Sequence, residues 1–238
     1  MPTKTNDQIP PGRETGAALL IIVAILAVIA ALSIGTRYFG GSTRQLSQQT
    51  ETFQDEVRFE DAIAAFWGRK TRLPCPADIT AAAAASQGVE ARDVSGNCTA
   101  ASFGAEVLPW KDLGLAESQV RDAWGNYYSY HVLPALAKDD ALSATNFSSA
   151  TGKLIIPGLR IKTANSSTTY LTESALMVII SHGPNGDSAY KSPAIQNAAS
   201  TDADELANTD GDAQNIYVKS GTAGGKFDDI LTYWLDKV

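Results

Sequence analysis

The chain has 238 residues, of which 44% are hydrophobic, and its formal net charge is −7. This length accommodates one medium-sized domain with an additional segment, or two small domains, and the apolar share is ordinary for a protein with a water-soluble core. The net negative charge and the lack of a basic stripe in the sequence argue against nucleic acid as a partner.

The N-terminal region consists of a polar leader, residues 1–16, followed by an apolar run. In the run Ala17–Ile34 the only polar residue is Ser33. Because about 20 apolar residues cover a hydrocarbon core of roughly 30 Å, the run predicts a membrane-spanning helix over residues 17–36. A cleaved secretory signal is disfavoured, since the apolar core is too long and the leader carries no net charge. A plain uncleaved anchor is the remaining alternative.

The pattern after this run predicts that the helix continues to Lys70. Apolar side chains recur at helical spacing over residues 37–70. They are Leu46, Phe53, Val57, Ala64 and Trp67, with Phe59, Ile63 and Phe66 widening the stripe. A broad apolar face of this kind is typical of a helix that packs on a sheet, and Pro74 and Pro76 end the helix.

Two cysteines, Cys75 and Cys98, lie in loop-like sequence beyond the predicted anchor. An even number of cysteines in this position predicts a disulfide bond formed in an oxidising compartment. A zinc site is disfavoured, because no histidine or third cysteine lies nearby to complete four ligands.

The remaining sequence predicts a globular head over residues 71–238, built from strands separated by turns. Tyr128, Tyr130 and Val132 alternate with their neighbours after a Gly-Asn turn, which is a strand pattern. Further strands are predicted at Lys153–Ile156, Leu159–Thr163, Ala175–Ser181, Asn215–Lys219 and Ile230–Leu235. A long helix followed by strands predicts an α+β fold, in which a long N-terminal helix, transmembrane and then amphipathic, packs on an antiparallel β-sheet.

The sequence offers little for catalysis, and we predict that the protein is not an enzyme. His131 and His182 are the two histidines, and the sequence places no partner beside either of them. Ser181 and His182 are adjacent, which is not the geometry of a catalytic triad. The glycine-rich turns lack the Lys-Ser/Thr that completes a phosphate-binding loop.

An acidic region near the C-terminus is the candidate cation site. Asp210 and Asp212 flank a glycine, and Asp228 and Asp229 follow the next predicted turn. Calcium takes six to eight oxygen ligands from carboxylates and carbonyls in flexible loops. A calcium site at these four residues is therefore predicted, although the EF-hand spacing is missing and a solvated acidic loop without metal stays open. No cofactor is required by this interpretation.

The leader that ends at Gly16, followed directly by the apolar run, resembles the type IV pilin and type II secretion pseudopilin family. The motifs RLPCPAD, LPWKDLGL, DAWGN, VIISHGPNG, NTDGDA and FDDILTYWL, in this order over most of Leu73–Leu235, resemble a group of pilin-like proteins from Gram-negative bacteria. The resemblance implies that prepilin peptidase cuts between Gly16 and Ala17 and methylates the new amine. Most members carry a glutamate five residues after the cut, where this chain has Ile21.

The resemblance also implies a pilin-like fold and a structural function. The protein would be a minor subunit of a type II secretion pseudopilus or type IV pilus-like filament. It would cross the bacterial inner membrane once, with its head in the periplasm or in an extracellular filament. Its partners would be prepilin peptidase, other pilin or pseudopilin subunits and the inner membrane. The rival function is a membrane-tethered periplasmic binding module or enzyme with an uncleaved signal anchor.

Two further implications concern single positions. The family's glutamate neutralises a neighbour's ammonium group in the membrane, where an unpaired charge is costly. Ile21 therefore favours a minor subunit at the tip of the filament. Major pseudopilins bind calcium in a C-terminal loop, to which the predicted calcium site is a counterpart.

Overall fold

The computed structural model describes residues 47–99, 105–139, 141, 143, 145–151, 153–209, 216–221 and 226–235. The chain divides into two units, Met1–Ser47 and Gln48–Val238, and apart from Ser47 the described residues belong to the second. The leader, the predicted membrane helix over 17–36 and the processing residues Gly16 and Ala17 lie outside the described residues.

The described part opens with a long helix, α1 (47–70). Phe59, Ile63 and Phe66 point from α1 into the hydrophobic core. The ring of Phe59 meets the ring of Tyr128 edge-on, with centroids 4.8 Å apart. The helix ends at Lys70, and the prolines of the following segment prevent it from continuing.

Short helices and nine strands follow in the described part of the chain. The helices are α2 (Trp110–Leu113), a 3-10 turn (Glu117–Val120), α3 (Pro134–Ala137) and α4 (Ala203–Ala207). The strands are β1 (Ala77–Asp78), β2 (Glu106–Val107), β3 (Ser129–Val132), β4 (Leu159–Lys162), β5 (Tyr170–Ser181), β6 (Tyr190–Ser192), β7 (Ile195–Gln196), β8 (Ile216–Val218) and β9 (Ile230–Leu235).

The longest strand, β5, organises a seven-stranded sheet. The strand order is β1-β2-β3-β5-β4-β8, and β9 also pairs with β5. Ala175 of β5 pairs with both Leu159 of β4 and Leu235 of β9, so β4 and β9 lie on opposite edges of β5. The C-terminal half of β5 pairs with β3 on one edge and β9 on the other, and it is buried. Strands β6 and β7 form a separate two-stranded ribbon.

The predicted fold class is wrong. The prediction was a long N-terminal helix packed on an antiparallel sheet. The only long helix in the described part is residues 47–70, and the sheet is mixed, because β8 runs parallel to β4. A parallel pair needs a long crossover, and here the chain passes through β5, β6, β7 and α4 before it returns beside β4. Strand patterns in the sequence do not reveal such a long-range pairing.

The predicted localisation, a single pass through the inner membrane with a periplasmic head, is also corrected. A search of the described residues finds no helix with the length and apolar character that crossing a membrane requires. A single-pass anchor is therefore not supported. The apolar run that suggested it lies outside the described residues.

The predicted disulfide is confirmed. Cys75 and Cys98 form a bond with an S–S distance of 2.11 Å and a Cα–Cα distance of 5.3 Å. The bond closes a loop that is also held by Glu90, whose Oε1 accepts hydrogen bonds from Arg72 Nη1 and from the Cys75 N–H, each at 2.6 Å. The buried Cys75 thus anchors the loop to the core.

Removing the disulfide should destabilise the protein. In the chain-entropy model, a cross-link closing a loop of this length is worth about 3 kcal/mol. We expect the double variant Cys75→Ala/Cys98→Ala to lose about that free energy of unfolding in urea denaturation. Reduction of the wild type is the control and should give a similar loss. An unchanged denaturation midpoint would show that the Arg72–Glu90 contacts alone hold the loop.

A close approach of backbone to an aromatic ring fixes this same loop. Gly88 has a φ of +74°, and a Cβ atom placed on it would overlap the indole ring of Trp110. Trp110 in turn stacks on Tyr127, with ring centroids 5.7 Å apart. The indole ring therefore requires glycine at position 88.

The matched pair Gly88→Ala and Gly114→Ala tests this packing. Gly114 has a φ of +73°, but nothing lies within 4 Å of its added Cβ. Gly114→Ala should cost about 1–2 kcal/mol for the left-handed backbone alone. Gly88→Ala should cost about 1–3 kcal/mol more, because the ring must also move. Equal losses in chemical denaturation would contradict the packing argument.

Candidate functional site

Three acidic side chains converge beside the C-terminal end of β5. Glu205 lies in α4, and Asp228 and Asp229 directly precede β9. One carboxylate oxygen from each of the three lies within 4.8 Å of the others. Glu205 and Asp229 are buried and Asp228 is half-buried. We call these three residues the carboxylate cluster.

Local sequence explains how Glu205 reaches the cluster. Asp202 caps the N-terminus of α4, and its Oδ1 accepts the N–H of Asp204 at 2.9 Å. The cap fixes where the helix begins and places Glu205 in its first turn. The hydroxyl of Ser200 donates to Glu205 Oε2 and holds the carboxylate in place.

The glycine-rich turn after β5 closes over the cluster. Asn185 donates its backbone N–H to Asp228 Oδ2 at 3.2 Å and its Nδ2 to Glu205 Oε1 at 2.9 Å. Gly183 has a φ of +58°, and a Cβ there would overlap the backbone of Asp228. On the other side, Asn208 Nδ2 donates to Asp229 Oδ2 at 2.8 Å.

The hydrogen-bond donors around the carboxylate cluster do not compensate for the negative charge of its three carboxylates. Burial and, to a smaller extent, the neighbouring carboxylates of Glu205 and Asp187 together raise the pKa of Asp228 to about 7. Burial likewise raises the pKa of Asp229 well above its ordinary value. Asp228 Oδ1 is buried and accepts no hydrogen bond. Near neutral pH the cluster therefore favours a proton or a cation.

His182 lies next to the cluster. Its Nε2 is 2.7 Å from Ser129 Oγ, and its Nδ1 is 3.7 Å from Asp229 Oδ1. That Nδ1 is buried and makes no hydrogen bond. Burial lowers the pKa of His182 to about 4, so the imidazole is neutral at pH 7.

Ser129, His182 and Asp229 are the three residue types of a hydrolytic triad, with the histidine between the serine and the aspartate. The environment of the three side chains argues against catalysis. Ser129 is only 3% exposed and His182 is 1% exposed, so a substrate cannot reach the hydroxyl. The 3.7 Å between His182 and Asp229 also exceeds hydrogen-bonding distance. The trio is a buried polar contact between Ser129 of β3, His182 directly after β5 and Asp229 directly before β9.

The structure brings together part of the predicted calcium site. Asp228 and Asp229 lie side by side, whereas Asp210 and Asp212 lie outside the described residues. Glu205 belongs to the acidic region of the sequence but was not among the four predicted ligands, although the spacing Asp202-x-x-Glu205 is a signature of a helix N-terminus. Three carboxylates match the oxygen ligands that calcium prefers, and the donor set fits this cation.

Comparison of the chain with protein-family models, with curated proteins and with solved structures gave no match.

The variant Asp228→Asn tests the cluster in two ways. Because the folded-state pKa of Asp228 is raised from 3.8 to about 7, its stabilising contribution is complete below about pH 4 and is lost as the pH rises through 7. At pH 8 without metal, Asp228→Asn should therefore melt at a higher temperature than the wild type. Calcium should stabilise the wild type, by about 2.7 kcal/mol at 100 times its dissociation constant.

In the Asp228→Asn variant this calcium effect should disappear. Glu173→Gln is the control, since it removes an exposed carboxylate of β5 away from the cluster. It should leave both melting behaviours unchanged. A wild-type melting temperature that does not respond to calcium would rule out the calcium site.

Proposed function

We propose that the protein is a structural subunit, a minor pilin or pseudopilin, of a type II secretion pseudopilus or type IV pilus-like filament. In this proposal prepilin peptidase processes it between Gly16 and Ala17, and its partners are other subunits of the filament. The observation that supports a structural function is that several polar side chains of these motifs, in the part of the chain that the structure describes, form internal contacts that hold segments of the chain together.

The first two motifs illustrate this use. RLPCPAD supplies Cys75 of the disulfide and Arg72, whose guanidinium binds the Glu90 carboxylate with two hydrogen bonds of 2.6 and 3.0 Å. LPWKDLGL supplies α2 and the stacked Trp110. In each case the side chain holds two segments of the chain together.

The later motifs are used in the same way. In DAWGN, Asp122 Oδ1 accepts the N–H groups of Trp124 and Asn126, and its Oδ2 accepts the hydroxyl proton of Ser181 at 2.8 Å. The motif thereby joins its turn to the end of β5. GPNG and FDDILTYWL meet at the carboxylate cluster.

The proposal includes calcium at the carboxylate cluster, with Asp210 and Asp212 as further ligands. Bound calcium would join α4 to the segment before β9 and stabilise the C-terminal region. The rival function, a binding module or enzyme with an intact leader, needs an accessible site, which the buried Ser129–His182–Asp229 trio does not supply.

Mass spectrometry of the mature N-terminus tests the processing step. When the full chain is co-expressed with a prepilin peptidase, we expect an N-terminus at Ala17 that carries a methyl group. The control is expression without the peptidase, which should leave the leader in place. A leader that stays intact in the presence of the peptidase would contradict the proposed function.

The distribution of the protein along filaments tests whether it is a minor subunit at the filament tip. Ile21 stands where most family members carry glutamate, and Ile21→Glu should increase the number of subunits along the filament shaft. Immunogold labelling of filaments formed with the wild type and the variant measures this distribution. An unchanged distribution would count against a tip position.

A further inference from the structure

The first three turns of α1 bury polar side chains and expose apolar ones. Thr52, Asp55 and Glu56 are 0%, 7% and 5% exposed, whereas Phe53 and Val57 are 56% and 59% exposed. An amphipathic helix on a protein surface normally shows the opposite arrangement. The hydrophobic effect therefore contributes little to holding this part of the helix in place.

The remaining turns of α1 show the ordinary arrangement. Phe59, Ile63 and Phe66 are buried in the hydrophobic core. The guanidinium of Arg72 lies over the ring of Phe66, 5.1 Å from its centroid. Attachment of α1 therefore changes in character near Arg58: it is polar before this residue and apolar after it.

Asp55 and Glu56, the two adjacent acids in the polar half of α1, differ in their hydrogen-bond and ion-pair partners. Asp55 forms an ion pair with Arg58, and the Tyr128 hydroxyl lies 3.3 Å from Asp55 Oδ2. Glu56 Oε1 is buried and accepts no hydrogen bond. A buried acceptor without a donor destabilises the docked state, and an ionised one does so more strongly.

The charges around Glu56 do not offset the effect of burial on its pKa. Burial raises the pKa of Glu56 to about 8, and the charge of Glu60, one turn further along α1, contributes in the same direction to a smaller extent. Lys219, after β8, acts to lower the pKa of Glu56 but does not compensate. Its ammonium already lies over the ring of Tyr233, 4.9 Å from the centroid.

Two other titratable groups also face this part of the helix. They are Tyr128, the residue directly before β3, and Asp122. The charges of Asp122 and Glu56 both raise the pKa of Tyr128. Neither can neutralise the Glu56 carboxylate. The docked helix therefore holds Glu56 as a neutral acid at pH 7.

We propose that residues 47–57 form a releasable arm. Gln48 Nε2, which donates to the Ala123 carbonyl at 3.2 Å, and the Asp55–Tyr128 contact hold the arm in place. The buried Oε1 of Glu56, which accepts no hydrogen bond, weakens this docked state. Release gives Glu56 access to water, where it ionises freely, and frees the arm that carries Phe53 and Val57. The apolar half of α1 stays in place and acts as the fixed end.

The direction of the pH dependence follows from linkage. Docking lifts the pKa of Glu56 from 4.5 to about 8, so the contribution of Glu56 to docking is complete below about pH 4.5. It is lost progressively as the pH rises, and the loss is complete above about pH 8. Within this window, one proton is released when the arm opens.

Hydrogen exchange on the full chain, followed by mass spectrometry, tests the arm. After correction for the intrinsic exchange rate, the opening constant of residues 48–57 should rise about tenfold per pH unit between about pH 5.5 and 7.5. The opening constant of residues 59–66 should stay constant. Glu56→Gln should abolish the rise, whereas the control Glu60→Gln, half-exposed on the same helix, should retain it.

Two results would overturn the proposal: a wild-type opening constant that does not change with pH, or a rise that persists in Glu56→Gln. Carbon-13 NMR of the Glu56 carboxyl group gives a second measurement that needs no variant. A titration midpoint near 8 supports the arm, and a midpoint near the ordinary value of 4.5 contradicts it.

Discussion

The pairing of β5 on both of its edges is the constraint on which the rest of the structure depends. At one end, Ser181 pairs with Ile230 of β9, which brings Asp229 beside His182. On the other edge β5 pairs with β3, and the chain just before β3 presents Tyr128 to α1. The carboxylate cluster and the docked helix are therefore both positioned by a single strand.

Asp122, Asp228 and Glu56, of which Asp228 is half-buried and the other two are buried, show how the number of hydrogen-bond donors decides what a carboxylate does. Asp122 receives two backbone N–H groups and a hydroxyl, and it serves as a fixed joint. Asp228 receives a backbone N–H on one oxygen and none on the other. Glu56 has an oxygen that is buried without any donor. Carboxylates in one protein can therefore be fixed joints or groups that respond to pH or cations. A buried acceptor without a donor is stabilised only by a proton, a cation or exposure to water.

The sequence predicted the local features better than the long-range ones. The Cys75–Cys98 bond and the strands β3, β4, β5 and β9 follow from local patterns, and the structure contains them. The fold class failed because the parallel pairing of β8 with β4 joins distant segments. Helical periodicity identified the apolar positions of α1, but it did not reveal that Phe53 and Val57 face solvent. Glu205 was not predicted as a ligand, because Asp228 and Asp229, which lie beside it, come from another part of the chain.

The Ser129–His182–Asp229 trio has a consequence for assigning enzyme functions from structures. A search that matches side-chain types and approximate distances would retrieve it as a serine hydrolase. The chemistry of such an enzyme requires a carbonyl carbon to approach the serine oxygen, and here Ser129 and His182 are both buried. Accessibility of the nucleophile is therefore a necessary part of any triad template, since strand pairing alone can align these three residue types.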